Sequence, residues 1–223
     1  MKKILAILCV ALVSLLNAQV LRGVHYEILP FSVNAPEKSV IKVSRYNCQF
    51  CYKYDELVVD KVISQLSEFE YIPYHSAYGA QFGKLASSVL AVMIAKDKED
   101  NVSLIDEKSS YHTTNMAIYK AYHSDRNDFG GDSTKKKNVN KFLKIALKPT
   151  GMSIKEYEER LQTPKVKEIL DIWGVDESGM AAKLANIQGV PSFIVDGKYI
   201  INPRAIQNPT QFAQMIKEIS DLD

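Results

Sequence analysis

The 223-residue sequence predicts an α/β fold in which a large all-helical segment interrupts a small sheet. Three observations predict it. Residues 39–46, rich in branched side chains, read as a strand that runs directly into Cys48-Gln49-Phe50-Cys51 and a helical pattern; residues 71–75 read as strand again. From about residue 82 to 184 the apolar side chains recur instead at three and four, as in Leu85, Val89, Leu90, Val92, Met93 and Ile94. Strand character then returns at 192–195 and 198–201 around Asp196-Gly197, a pair that favours a type I′ hairpin turn.

Taken in order, Met1-Lys2-Lys3 is a short basic start to an apolar run, 4–16, that closes on Asn17-Ala18. The run is short for a bilayer span and has the layout of a secretory signal peptide, with cleavage expected after Ala18. Cleavage takes away Cys9, Lys2 and Lys3, leaving 26 basic residues against 26 acidic ones. A neutral exported chain gives no hint of binding to nucleic acid or to a membrane surface. A first short strand is expected at 24–29, ended by Pro30, and a turn at 34–38. The helix after Cys48 is expected to run from about 50 to 69, with Phe50, Tyr54, Leu57, Val58 and Val62 on one face. In the insertion, helical stretches fall at 111–123, 138–147, 153–161 and 165–173, broken by Asp128-Phe129-Gly130-Gly131-Asp132 and Lys148-Pro149-Thr150-Gly151. Ser153 and Glu156 have capping-box spacing. Lys135-Lys136-Lys137 reads as a solvated helix start, with a docking patch as the alternative. An amphipathic helix, 208–222, closes the chain with Phe212, Met215, Ile216 and Ile219 on one face. The domain boundaries expected are 1–18 for the removed signal, 19–81 with 186–223 for the sheet-bearing unit, and 82–185 for the inserted helical domain.

The chemistry concentrates at the two cysteines. Two intervening residues bring the sulfurs within bonding reach across a first helical turn, and Cys48 sits where unpaired N–H groups and the helix dipole favour a thiolate. Cys51, one turn deeper, is the shielded partner. A half zinc site, a structural staple and two inert thiols are the competing readings. Zinc wants four ligands, and His25, His75, His112 and His123 are scattered singly. A disulfide closing so short a loop constrains little unfolded-chain entropy. Outside the reducing cytosol, a single adjacent pair reads as redox chemistry. Pro191, in Gly189-Val190-Pro191 ahead of the hairpin, is trans by base rate, since only about 5–6% of X–Pro bonds in folded proteins are cis.

The signal-like start, Cys48-Gln49-Phe50-Cys51 at a strand-to-helix turn, the helical insertion with its Gly-Gly-Asp, and the run from Gly189 to Tyr199 together resemble the DsbA family. These are periplasmic thiol–disulfide oxidoreductases with a thioredoxin-like fold. The resemblance covers essentially the whole chain after residue 18. It implies that Cys48 is the exposed nucleophile and Cys51 the buried resolver. It also implies that Pro191 is cis and faces them, and that the Val190 backbone pairs with an extended substrate, with Gln49 and Phe50 beside it. No cofactor beyond the disulfide, and no metal, is implied. The partners implied are reduced, unfolded exported polypeptides and a quinone-linked membrane protein of the DsbB type, acting on a monomer in the periplasm of a Gram-negative bacterium.

Two departures from the family's pattern bear on the chemistry. The commonest dipeptide between its cysteines is Pro-His, where this chain has Gln49-Phe50, and many members carry an acid six residues before the first cysteine, where this chain has Lys42. A cation there, or Arg45, would favour the Cys48 thiolate by Coulomb attraction; the alternative for Lys42 is an edge position with its amine reaching water. Two other functions stay open: a disulfide isomerase or reductase of the same fold, and a soft-metal chaperone that holds Cu(I) between the thiolates.

Overall fold

A computed structural model describes residues 20–222. The expected signal peptide and Cys9 lie outside the described residues. Five strands, β1 (Tyr26–Ile28), β2 (Ser39–Ser44), β3 (Glu70–His75), β4 (Ser192–Val195) and β5 (Tyr199–Ile201), form one sheet in the order β1-β5-β4-β2-β3. β2 runs parallel to β3 and antiparallel to β4. It is therefore an interior strand, and every one of its six residues is buried. The β4–β5 hairpin turns at Asp196 (φ 52°) and Gly197 (φ 67°), both left-handed, as a type I′ turn demands. A Cβ at Gly197 would lie 2.1 Å from the Val33 carbonyl oxygen, so only glycine fits there. Asp196 also ties the hairpin down, accepting from the Ser39 N–H at 2.9 Å and the Ser220 hydroxyl at 2.5 Å.

Between β2 and β3 the chain forms α1 (Gln49–Leu57) and α2 (Val59–Ile63), not one continuous helix. Val58 (φ −124°, ψ −50°) breaks it. Val58 and Val59 are both branched at Cβ, a weak point for a helix. The break also lets Val59, Val62 and Ile63 bury against Phe212, Met215 and Ile216. The expected apolar face does not form as one surface. Phe50 and Leu57 face solvent, and the side chains α1 buries are Cys51 and Asp55.

Six helices lie between β3 and β4: α3 (Gly83–Glu99), α4 (Ser110–Tyr119), α5 (Lys136–Leu147), α6 (Ile154–Leu161), α7 (Pro164–Trp173) and α8 (Met180–Gln188). A π turn, Lys120–Ser124, extends α4. Ser153 caps α6 through the Glu156 N–H at 3.1 Å. α9 (Pro209–Ser220) closes the chain, its first turn capped by Asn208. The alternation of strand side chains divides the core in two. Ile41, Val43, Ile194 and Ile200 pack with α3 and the other insertion helices, while Val40, Phe193, Val195, Tyr199 and Ile201 pack with α2 and α9. No helix among the described residues is long and apolar enough to cross a membrane.

Candidate functional site

The end of β2 turns at Arg45–Asn47 and delivers Cys48 as the N-cap of α1. Its backbone is extended (φ −94°, ψ 109°), and the Cys51 N–H points at Cys48 Sγ from 3.0 Å. An orphan donor at the start of a helix thus aims at the sulfur, an arrangement that favours negative charge there. Cys48 and Cys51 are joined as a disulfide, with Cα atoms 5.2 Å apart. Their environments differ sharply: Cys51 is fully buried, and Cys48 is partly open and followed by exposed Gln49 and Phe50, the latter 69% exposed. Across from them the Val190–Pro191 bond is cis, and the Val190 carbonyl oxygen lies 3.4 Å from Cys48 Sγ. The Ser192 hydroxyl donates to the Gly189 carbonyl at 2.5 Å and holds that loop in shape. Cys48, Cys51, Val190, Pro191, Gln49 and Phe50 therefore come together in space.

Lys42 is not where the edge reading of the sequence placed it. It is not on an edge and does not reach water: β2 is an interior strand and Lys42 is 1% exposed. It forms an ion pair with Asp55, also buried, one helical turn beyond Cys51. The second carboxylate oxygen of Asp55 accepts from Asn115 Nδ2 on α4 at 3.1 Å. The cation under the active turn is thus already matched by an anion. Desolvation of two charges makes such a pair a poor source of stability, but removing either member strands the other. The negative charge of Asp55 adds to burial in pushing the Tyr111 and Tyr119 hydroxyls well above the usual phenol range. Arg45 is half-buried beside Gly79, its Nε enclosed with no partner among the described residues.

Two histidines that looked isolated in the sequence brace the turn. His75 is buried and accepts the Tyr46 N–H on Nε2 at 3.0 Å, so its Nδ1–H donates to Ser87 Oγ at 2.7 Å. Burial, with Arg45 and Lys42 nearby, lowers its pKa to about 3. His123, on the π turn, donates from Nε2 to the Tyr46 carbonyl at 3.0 Å and stacks on Tyr52 with ring centroids 5.9 Å apart. Burial lowers its pKa too. Sequence reasoning missed Asp55, Asn115, Tyr52, His75 and His123. Only Asp55 carried a signal, since its spacing of four from Cys51 puts both on one helix face.

Among the described residues no group of three or more His, Cys, Asp or Glu side chains is placed to hold a metal ion. No family model matches the chain. It is 37% identical over 199 residues to the thiol:disulfide interchange protein DsbL of Lelliottia amnigena, covering 89% of this chain and 86% of that protein. It is 26% identical over 213 residues to the thiol:disulfide interchange protein DsbA of Salmonella typhimurium, covering 92% and 90%. A crystal structure of reduced DsbL superposes with a TM-score of 0.84 at 33% identity, covering 90% of this chain and 99% of that one. The DsbA of Proteus mirabilis shares the fold at a TM-score of 0.63 and 20% identity, covering 92% and 97%.

Proposed function

As a member of the DsbL and DsbA family, with a thioredoxin-like fold and helical insertion, this chain is a protein thiol:disulfide oxidoreductase, and we propose that it works as an oxidase. The Cys48–Cys51 disulfide is the group donated, and the recipients are reduced, unfolded polypeptides exported to the periplasm of a Gram-negative bacterium. Residues 1–18 are then a leader removed on export, and the enzyme acts as a monomer. We read residues 19–81 with 186–223 as the unit that carries the disulfide, and 82–185 as a domain inserted into it.

A substrate thiolate attacks Cys48 Sγ, the open sulfur. A new sulfur–sulfur bond forms there and Cys51 leaves as the thiolate, taking a proton from water. A second substrate thiolate then attacks the substrate sulfur of the mixed disulfide, and Cys48 leaves carrying the electron pair. Its charge settles onto the Cys51 N–H and the start of α1, which makes it a good leaving group. The substrate ends with one disulfide and the enzyme with two thiols. Val190, in the bend before Pro191, offers its backbone to an extended substrate strand, and exposed Gln49 and Phe50 form the floor under the substrate side chains. A quinone-linked membrane protein of the DsbB type takes the electrons from the reduced enzyme. No cofactor and no metal enter the cycle.

The observation that carries this reading is the asymmetry of the pair: an open sulfur at a helix N-cap joined to a fully buried one. Mixing the oxidised enzyme with a reduced, unfolded two-cysteine polypeptide tests it. One disulfide should be transferred per enzyme. Cys48→Ser should abolish transfer, whereas Cys51→Ser should trap a mixed disulfide through Cys48 when the substrate arrives as a disulfide. A trap through residue 51 in Cys48→Ser would overturn the assignment.

A further inference from the structure

From Ser133 to Lys155 the chain carries seven lysines and no aspartate, glutamate or arginine. The ion pairs of this segment, among the described residues, are those of its two ends, Lys135 with Asp132 and Lys155 with Glu159. Lys136, Lys137, Lys141, Lys144 and Lys148 are all exposed. Spacings of four, three and four put Lys137, Lys141, Lys144 and Lys148 in one stripe along α5. At 1.5 Å per residue the stripe is about 16 Å long. The two helices that follow are built differently. α6 interleaves Lys155 and Arg160 with Glu156, Glu158 and Glu159, and α7 interleaves Lys165 and Lys167 with Glu168 and Asp171. Because the chain beyond residue 18 has equal numbers of acidic and basic residues, the stripe reflects segregation of charge within a neutral protein.

A second feature adjoins it. Lys144 and Lys148 border an open notch of about 350 Å³, otherwise lined by Leu143, Leu147, Gly151, Met152 and Ile154. A solvated helix face needs no such notch, and neither does a surface that meets only soluble polyanions. Cations beside an accessible apolar recess match the two requirements of a lipid surface, phosphate charge outside and hydrocarbon beneath.

We propose that this face of α5 docks the protein on an anionic phospholipid surface. Lys137, Lys141, Lys144 and Lys148 lie against headgroup phosphates, and the notch admits apolar groups from beneath them. The proposal is independent of the redox reading, since no residue in it belongs to the disulfide site.

The test is sedimentation with phosphatidylglycerol/phosphatidylcholine vesicles and with pure phosphatidylcholine vesicles. It uses exported protein whose N-terminus has been checked by mass, so that residues 1–18 do not contribute. Binding should need the anionic lipid and should weaken as salt rises toward 0.15 M, where the screening length falls to about 8 Å. Replacing the four lysines by glutamine should weaken binding at least tenfold, while thermal unfolding and disulfide transfer to a soluble substrate stay as in the parent. Replacing them by arginine should preserve binding, as should Lys165→Gln with Lys167→Gln on α7. Equal binding to neutral vesicles, no binding to anionic vesicles at low salt, or unchanged binding by the glutamine variant would each overturn the proposal. Tighter binding to soluble polyglutamate than to the anionic vesicles would also overturn it, and would assign the stripe to an acidic protein surface.

Discussion

Ile41 and Val43 on one face of β2, and Lys42 on the other, are sequence neighbours and equally buried, but they hold the fold in different ways. The first pair packs among the aliphatic side chains of α3 and its neighbours. There each methyl group contributes by the area it removes from water, and any loss leaves a cavity. Lys42 faces α1 and α4 through Asp55 and Asn115. Its charge contributes little net stability while paired, yet it makes α1 and α4 mutually dependent. The apolar face is therefore tolerant and graded, whereas the polar face is all or none. It is the polar face that lies under the disulfide.

The largest effect follows from breaking that face on one side only. Asp55→Ala leaves Lys42 buried and unmatched, and should cost about 3–5 kcal/mol in denaturant unfolding. Removing both charges, with Lys42→Met and Asp55→Leu together, should return stability to within about 1 kcal/mol of the parent or above it. If the double variant is as unstable as the single one, packing rather than charge holds this face.

A pH dependence comes next, through His75, whose protonation burial and the positive charges of Arg45 and Lys42 oppose. Unfolded, its imidazole takes up a proton near 6.5; folded, it does so only at about 3. The folded pKa is the lower one, so this contribution is fully present above pH 6.5. It is lost as pH falls through that window, at up to about 1.4 kcal/mol per pH unit. His75→Gln should flatten the slope of unfolding free energy between pH 6 and 4.

On the apolar face, Ile41→Val should cost about 0.5–1.5 kcal/mol and leave the redox behaviour unchanged. The smallest stability effect belongs to the rim. Phe50→Ser, at an exposed position, should change stability by no more than about 0.5 kcal/mol but raise KM for an unfolded substrate; an unchanged KM would remove Phe50 from the substrate surface.

The same contrast explains what was legible in the sequence. The strand and helix periodicities, the Asp196-Gly197 turn and the Ser153 cap are local, fixed by residues within a few positions of one another, and they appear in the structure. The break at Val58 was not legible, because the packing of α2 on α9 accompanies it and α9 lies at the far end of the chain. The ion pair of Lys42 was not legible for the same reason. Its partner Asp55 and the orienting Asn115 sit on two other elements, and pairing between elements leaves no periodic trace. His123 looked like a stray histidine until the π turn set it on the Tyr46 carbonyl.

The most direct test of the account is the equilibrium of Cys48–Cys51 against a glutathione buffer, with the Cys48 thiolate titrated by ultraviolet absorbance in the same sample. An oxidase with its thiolate held at the start of α1 predicts a potential well above the about −270 mV of thioredoxin. It also predicts Cys48 ionised below about pH 6. A potential near thioredoxin's, with Cys48 titrating at about 7 or above, would contradict it and leave a reductase or isomerase on the same fold.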